Sequence, residues 1–160
     1  MIISDRPLLR RRSSVWDDQA ILDEACTILR KRLKRLGTLS SPGDTKEFLR
    51  MRLAGLEHEL FYVLYLDTRH RIIEAEVAFQ GTIDGAEVHP RVIVKRALEL
   101  NAAALICAHN HPSNDPTPST ADHAVTQRLK SALALVDVRL LDHFVVTVEG
   151  FTSLAEMGRI

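Results

Sequence analysis

One stretch constrains the fold of this 160-residue chain more than any other. Ala102 to His109 is an almost unbroken apolar run, short enough to read as a strand covered on both faces. Asn110 to Pro118 follows as a loop with three prolines, which restrict its backbone. Ser119 is then placed to N-cap a helix running to about Val136. Strand, stiff loop and helix are thereby held in one register. His109 and His111 are two residues apart, so in an extended segment both side chains point the same way. Asp122 takes the third helical position, in the first turn, which faces back toward the end of the strand.

Two neutral imidazoles and one carboxylate leave a tetrahedral zinc ion with one open position, the arrangement of a catalytic rather than a structural site. Ser-x-x-Asp is also the pattern of a capping box, in which Asp122 accepts a backbone hydrogen bond and favours the helix dipole. The expectation is one zinc per chain, held by His109, His111 and Asp122. The only cysteines, Cys26 and Cys107, lie inside apolar patterns without a C-x-x-C spacing, so reduced, buried thiols are expected.

Around this centre the chain alternates helical and extended patterns. Residues 1–16, with Arg6, Arg10, Arg11 and Arg12, read as a frayed leader. From Asp17 a helical stripe runs through Leu22, Ala25, Cys26, Leu29, Leu33 and Leu36, to be stopped by Gly37, and its other face is basic from Arg30 to Arg35. A second helix carries Phe48, Leu49, Leu53 and Leu56. Glu59–Asp67 is an aromatic-rich strand, Asp67–His70 a polar turn, and Arg71–Phe79 its hairpin partner, with Ile73, Ala75 and Val77 on one parity. Pro90 opens a helix with apolar positions Val94, Ala97 and Leu98, ending near Asn101. Val138–Val148 is a further strand, turned by Gly150 into a short C-terminal segment. This order predicts an α/β fold with a mixed central sheet flanked by helices, a single domain over 41–160 preceded by a leader and amphipathic helix in 1–40.

The balance of 21 basic and 21 acidic residues removes any whole-molecule attraction to nucleic acid or membrane. The N-terminus lacks the apolar core of a signal peptide, and no apolar run approaches the ~20 residues of a membrane helix. A cytoplasmic protein with no membrane partner is expected.

His109-x-His111-Pro112, six residues, Ser119, two residues, Asp122 resembles the JAMM motif of MPN-domain metalloproteases and deubiquitinases. Residues 109–119, His-Asn-His-Pro-Ser-Asn-Asp-Pro-Thr-Pro-Ser, are similar to the RadC branch in particular. Further RadC-like strings are Glu59-x-Phe61-x-Val63-Leu64-x-Leu66-Asp67, Gly81-Thr82, His89-Pro90-Arg91, Asp142-His143 and Gly158, so the resemblance covers about Ser41 to Ile160. It implies a JAMM/MPN, cytidine-deaminase-like fold and zinc-dependent hydrolysis of a peptide or isopeptide bond in a peptide or protein substrate. A zinc deaminase is discounted, because its Pro-Cys-x-x-Cys element is missing.

A zinc hydrolase also needs a base for its water, and spacing leaves Glu57, Glu59, Glu74, Glu76 and Glu87 open. The resemblance selects Glu59, and it implies that the Ser119 hydroxyl helps hold the reacting carbonyl oxygen. Asp142-His143 recurs in the family, which implies that His143 supports the site from a neighbouring strand. Asn114 stands where the family usually has glycine; if that position needs a positive φ, asparagine is the least costly replacement. The helix-hairpin-helix segment of longer RadC proteins is not found, so a short form is expected. The alternative function is a nucleic-acid-associated, DNA-repair-related module that keeps its zinc with little turnover and uses the basic helix face.

Overall fold

The computed structural model describes residues 18–36, 42–81 and 87–160. The elements run α1 (Asp18–Leu36), α2 (Pro42–Leu53), β1 (Leu60–Leu66), β2 (Ile72–Gln80), α3 (Pro90–Glu99), β3 (Ala104–Asn110), α4 (Thr120–Ala134), β4 (Arg139–Val146) and β5 (Phe151–Ser153). They form a five-stranded sheet in the order β2-β1-β3-β4-β5. Only β3 and β4 pair in parallel, joined through α4; the other neighbours are antiparallel. The mixed α/β architecture expected from the element order is present.

The near-continuous apolar runs of β1 and β3 follow from burial on both faces of the sheet. In β1, Tyr62, Leu64 and Leu66 pack with Phe48, Leu49 and Leu53 of α2, and with Cys26 and Leu29 of α1. Phe61, Val63 and Tyr65 point the other way, onto Ile93 and Ala97 of α3 and Leu129 and Leu133 of α4. Every residue of β3 is buried. Both cysteines are buried and outside any disulfide, Cys107 within the α3–α4 core. Burial pushes the Cys107 thiol far up from its ordinary value, so it stays protonated.

Three patterns differ in detail from the sequence reading. In β2 the register with β1 shifts twice, leaving Ala78 and Ile73 as unpaired residues. Ile73 therefore packs on the α3–α4 side while Ala75 lies on the opposite side and Val77 is exposed. In α3 the buried pair is Ile93 and Ala97, one turn apart, and Leu98 faces solvent. In α1 Cys26 and Leu29 are the packing positions among the described side chains, whereas Leu22 is exposed and the side chains of Leu33 and Leu36 lie outside the described residues.

The leader in 1–16 lies outside the described residues, as do the side chains of Arg30, Arg32, Lys34 and Arg35 on the basic helix face. No helix among the described residues is long and apolar enough to cross a membrane.

Candidate metal centre

The site lies at the C-terminal end of β3, where a parallel strand and the start of its crossover helix meet, the usual position for ligands in α/β sheets. Ser119 caps α4: its hydroxyl accepts from the Asp122 N–H at 3.1 Å, and Asp122 Oδ2 accepts from the Ser119 N–H at 2.6 Å. The capping box anticipated from Ser-x-x-Asp is therefore formed. It also aims Asp122 at the strand, because Oδ1 lies 3.0 Å from His109 Nε2 and Oδ2 lies 3.4 Å from His111 Nε2. Cap and candidate ligand are one residue using the two oxygens of one carboxylate.

His109 and His111 bring their Nε2 atoms to 3.0 Å from each other. His111 Nδ1 lies 2.8 Å from the Asp115 carbonyl oxygen, which can only accept, so Nδ1 carries the proton and Nε2 of the neutral ring is a lone pair. Lone pairs this close repel unless a cation lies among them. Ligand atoms of His109, His111 and Asp122 all fall within 4.8 Å of one another, and among the described residues this is the one such group. The donor set of two imidazoles and a carboxylate fits a small divalent ion.

Electrostatics agree with that reading. Burial alone would raise the Asp122 carboxyl, but its contacts with the His109 and His111 rings and the Ser119 hydroxyl hold it well below the usual carboxylate range. The hydrogen bond to Asp122 raises His111 above its ordinary 6.5, against the opposing effect of burial. In the absence of metal a proton takes the cation's place.

The loop that joins the ligands is held at several points. Asn114 adopts φ 62°, so the left-handed position suspected from the glycine replacement is present. Its side chain adds what glycine lacks: Oδ1 accepts from the Val148 N–H at 2.9 Å. His111 N–H donates to the Val146 carbonyl at 3.1 Å, tying the ligand to the end of β4.

Behind the ligands, His143 on β4 is fully buried, and its Nε2 lies 2.9 Å from His109 Nδ1. The expected support from a neighbouring strand is thus in contact with a candidate ligand. Asp142 holds the turn after β5, accepting from the Ser153 hydroxyl at 2.6 Å and the Ala155 N–H at 3.1 Å.

A cleft of about 540 Å³ opens over the site, lined by Glu59, Phe61, Val88, Ser119, Val125 and Arg128 as well as His111 and Asp122. Glu59 reaches it because β1 runs antiparallel to β3 with Phe61 opposite His109, so the residue just before β1 stands at the metal end of the sheet. Glu87 lines the same cleft, Glu57 a second one, and Glu74 and Glu76 sit on β2 away from both. The second cleft, about 310 Å³, shares His111 with the first and is walled by Leu56, Pro112 and Val148. Ser119 faces the first cleft with its hydroxyl proton directed to Asp122 Oδ2 at 2.6 Å.

Two residues of this site had no assigned part in the sequence reading. Asn110, between the histidines and 2% exposed, accepts from the Leu60 N–H at 2.8 Å and donates to the His58 carbonyl at 3.0 Å. It clips the segment bearing Glu59 to the strand bearing the histidines. Thr126, one turn after Asp122, is fully buried with its hydroxyl 2.6 Å from His143 Nδ1. The available signals were a threonine one turn after Asp122 on the helix stripe that carries Leu129 and Leu133, and an asparagine held between the two histidines.

Known proteins are similar to this chain over most of its length. The RadC-like JAB domain family matches residues 39–159. A UPF0758 protein of Vibrio cholerae serotype O1 is 53% identical over 141 residues, covering 88% of this chain and 89% of that protein. A second from the same organism is 52% identical over 143 residues, covering 89% and 90%. A UPF0758 protein of Polaromonas sp. is 52% identical over 139 residues, which are 87% of this chain but only 62% of that longer relative. With the sheet, the capped helix and the histidine pair in place, these matches establish that the chain belongs to the RadC family.

Proposed function

We propose that this chain is a zinc-dependent hydrolase of peptide or isopeptide bonds, with its hydrolytic unit in 41–160. The observation that carries the reading is the convergence of His109, His111 and Asp122 beside a cleft that Glu59 also lines. Zinc, when bound, supplies a Lewis acid and brings the pKa of water it holds toward ~7.

The chain's own groups do the rest. Glu59 accepts a proton from the attacking water and passes it to the leaving amine. Ser119 holds Asp122 in the resting site and turns its hydroxyl proton to the substrate carbonyl oxygen during reaction. Phe61, Val88 and Val125 give the cleft an apolar wall that strengthens these polar contacts by excluding water. Two clefts that share His111 favour a substrate chain longer than the scissile bond alone.

The test is cleavage of an unbiased peptide library by zinc-loaded wild type and Glu59→Gln. The variant is nearly isosteric and should retain zinc and fold while turnover falls by about 10²–10⁴-fold, the usual cost of losing a general base. Zinc loss in Glu59→Gln makes the residue a ligand or support, and near-full activity assigns the base to another carboxylate.

A further inference from the structure

The buried polar contacts behind His109 form a chain whose proton directions are fixed from one end. Thr126 Oγ1 lies 2.6 Å from the Asp122 main-chain carbonyl, which has no proton to give, so the hydroxyl donates there. A hydroxyl has a single proton, and Oγ1 must therefore accept in its other contact, 2.6 Å from His143 Nδ1. His143 thus carries Nδ1–H. It is fully buried with no carboxylate among its hydrogen-bond partners, so a second proton on that ring would be an uncompensated internal charge. Its Nε2 is left as an acceptor, and His109 Nδ1 donates to it at 2.9 Å. The last consequence falls on the candidate ligand: His109 Nε2 presents a lone pair toward Asp122 Oδ1 and His111 Nε2, each 3.0 Å away.

We propose that Thr126 and His143 are positioning residues that lock the ring orientation and tautomer of His109 for metal binding. The chain begins on the backbone of one candidate ligand, Asp122, and ends on the side chain of another, His109. It crosses from α4 to β4 to β3, so the first turn of the helix and the end of the central strand are set by one set of protons. Phe61 closes the assembly against water, edge-on to His143 with ring centroids 5.3 Å apart and stacked on His109 at 6.3 Å. This inference rests on the metal-site reading above, but it assigns a task to residues that do not touch the ion.

The test uses the full chain loaded with zinc, with two readouts that do not depend on turnover. Long-range ¹H–¹⁵N correlation of the imidazoles should find His143 protonated on Nδ1 and unprotonated on Nε2. Chelator competition should find zinc held about 10–100-fold more weakly by Thr126→Val, the range for losing an outer-shell partner. Thr126→Ser, which keeps the hydroxyl and drops the methyl, should restore affinity to within a few-fold of wild type.

Protonation of His143 on Nε2 in the wild-type protein overturns the relay, whether or not the valine variant folds. Equal zinc affinity in Thr126→Val and wild type also overturns it, as does failure of Thr126→Ser to rescue, which would mean that packing of the methyl is what matters. Wild-type protein that binds no zinc removes the metal reading itself, a separate outcome from a variant that binds as well as wild type.

Discussion

Asn110→Ala offers the most direct test of how the Glu59 segment is held. The side chain is 2% exposed and makes two short hydrogen bonds, from Leu60 N–H at 2.8 Å and to the His58 carbonyl at 3.0 Å, with a longer one to the Leu56 carbonyl at 3.4 Å. Alanine removes all three and leaves the Leu60 N–H facing the protein without a partner. Two typical bonds at about 1 kcal/mol each, plus about 1–2 kcal/mol for the orphaned donor, total about 3–4 kcal/mol. For a chain of this size that lowers Tm by roughly 6–16 °C, at about 2–4 °C per kcal/mol. Urea unfolding of zinc-free wild type and variant measures it. Zinc affinity should change little, because Asn110 contacts no candidate ligand side chain, while kcat should drop as Glu59 loses its fixed position. A stability change below about 0.5 kcal/mol, the scale of ordinary surface substitutions, would refute the clip.

Further expectations can be checked on the same material. His109→Ala and His111→Ala should each abolish the single zinc per chain by metal analysis. Asp122→Asn should keep α4 capped, since Ser119 remains the N-cap and the asparagine carbonyl can still accept from the Ser119 N–H, yet weaken zinc binding because the anionic oxygen facing His109 is gone; unchanged affinity would leave Asp122 only its part in the capping box. Leu129→Ala, fully buried under the sheet, should cost about 2–5 kcal/mol in urea unfolding without changing the zinc stoichiometry. His111 is raised above 6.5 in the metal-free site, so its stabilising proton is fully present below that value and lost as pH rises through the raised pKa. Metal-free stability should therefore fall across that rise while zinc affinity, which requires the same proton to leave, climbs. Thermal melts and chelator competition over the same pH series read the two opposite trends.

The fold was legible wherever a physical constraint acts on many residues at once. Burial on both faces imposes continuous apolar runs on β1 and β3, and the Ser119 cap with three loop prolines marks the boundaries of the ligand loop. Parity failed in β2 because a bulge at Ile73 adds one residue between Ile72 and Glu74, which no period-two count over Ile73, Ala75 and Val77 can anticipate. The exposed Leu98 was missed for a related reason: Ile93 and Val94 both fit a helical stripe, and only packing against α4 and the sheet decides which face turns inward. At the site, the histidines and Asp122 are close in sequence and announce themselves by spacing. Glu59, Asn110, Thr126 and His143 meet through strand pairing and helix packing, so their spacing carries no local signal.

The strand–loop–helix arrangement of the candidate ligands also bears on the order in which the protein folds. His109, His111 and Asp122 all fall between the end of β3 and the first turn of α4, so gathering them closes only a short loop, at little entropic cost. Glu59 and His143 enter only when β1 and β4 pair with β3, contacts that span far more chain. Zinc present during refolding should then act early, raising the folding rate, whereas loss of the Asn110 clip, which joins distant segments, should mainly speed unfolding. The ion would serve as a nucleus for the fold before it serves any chemistry.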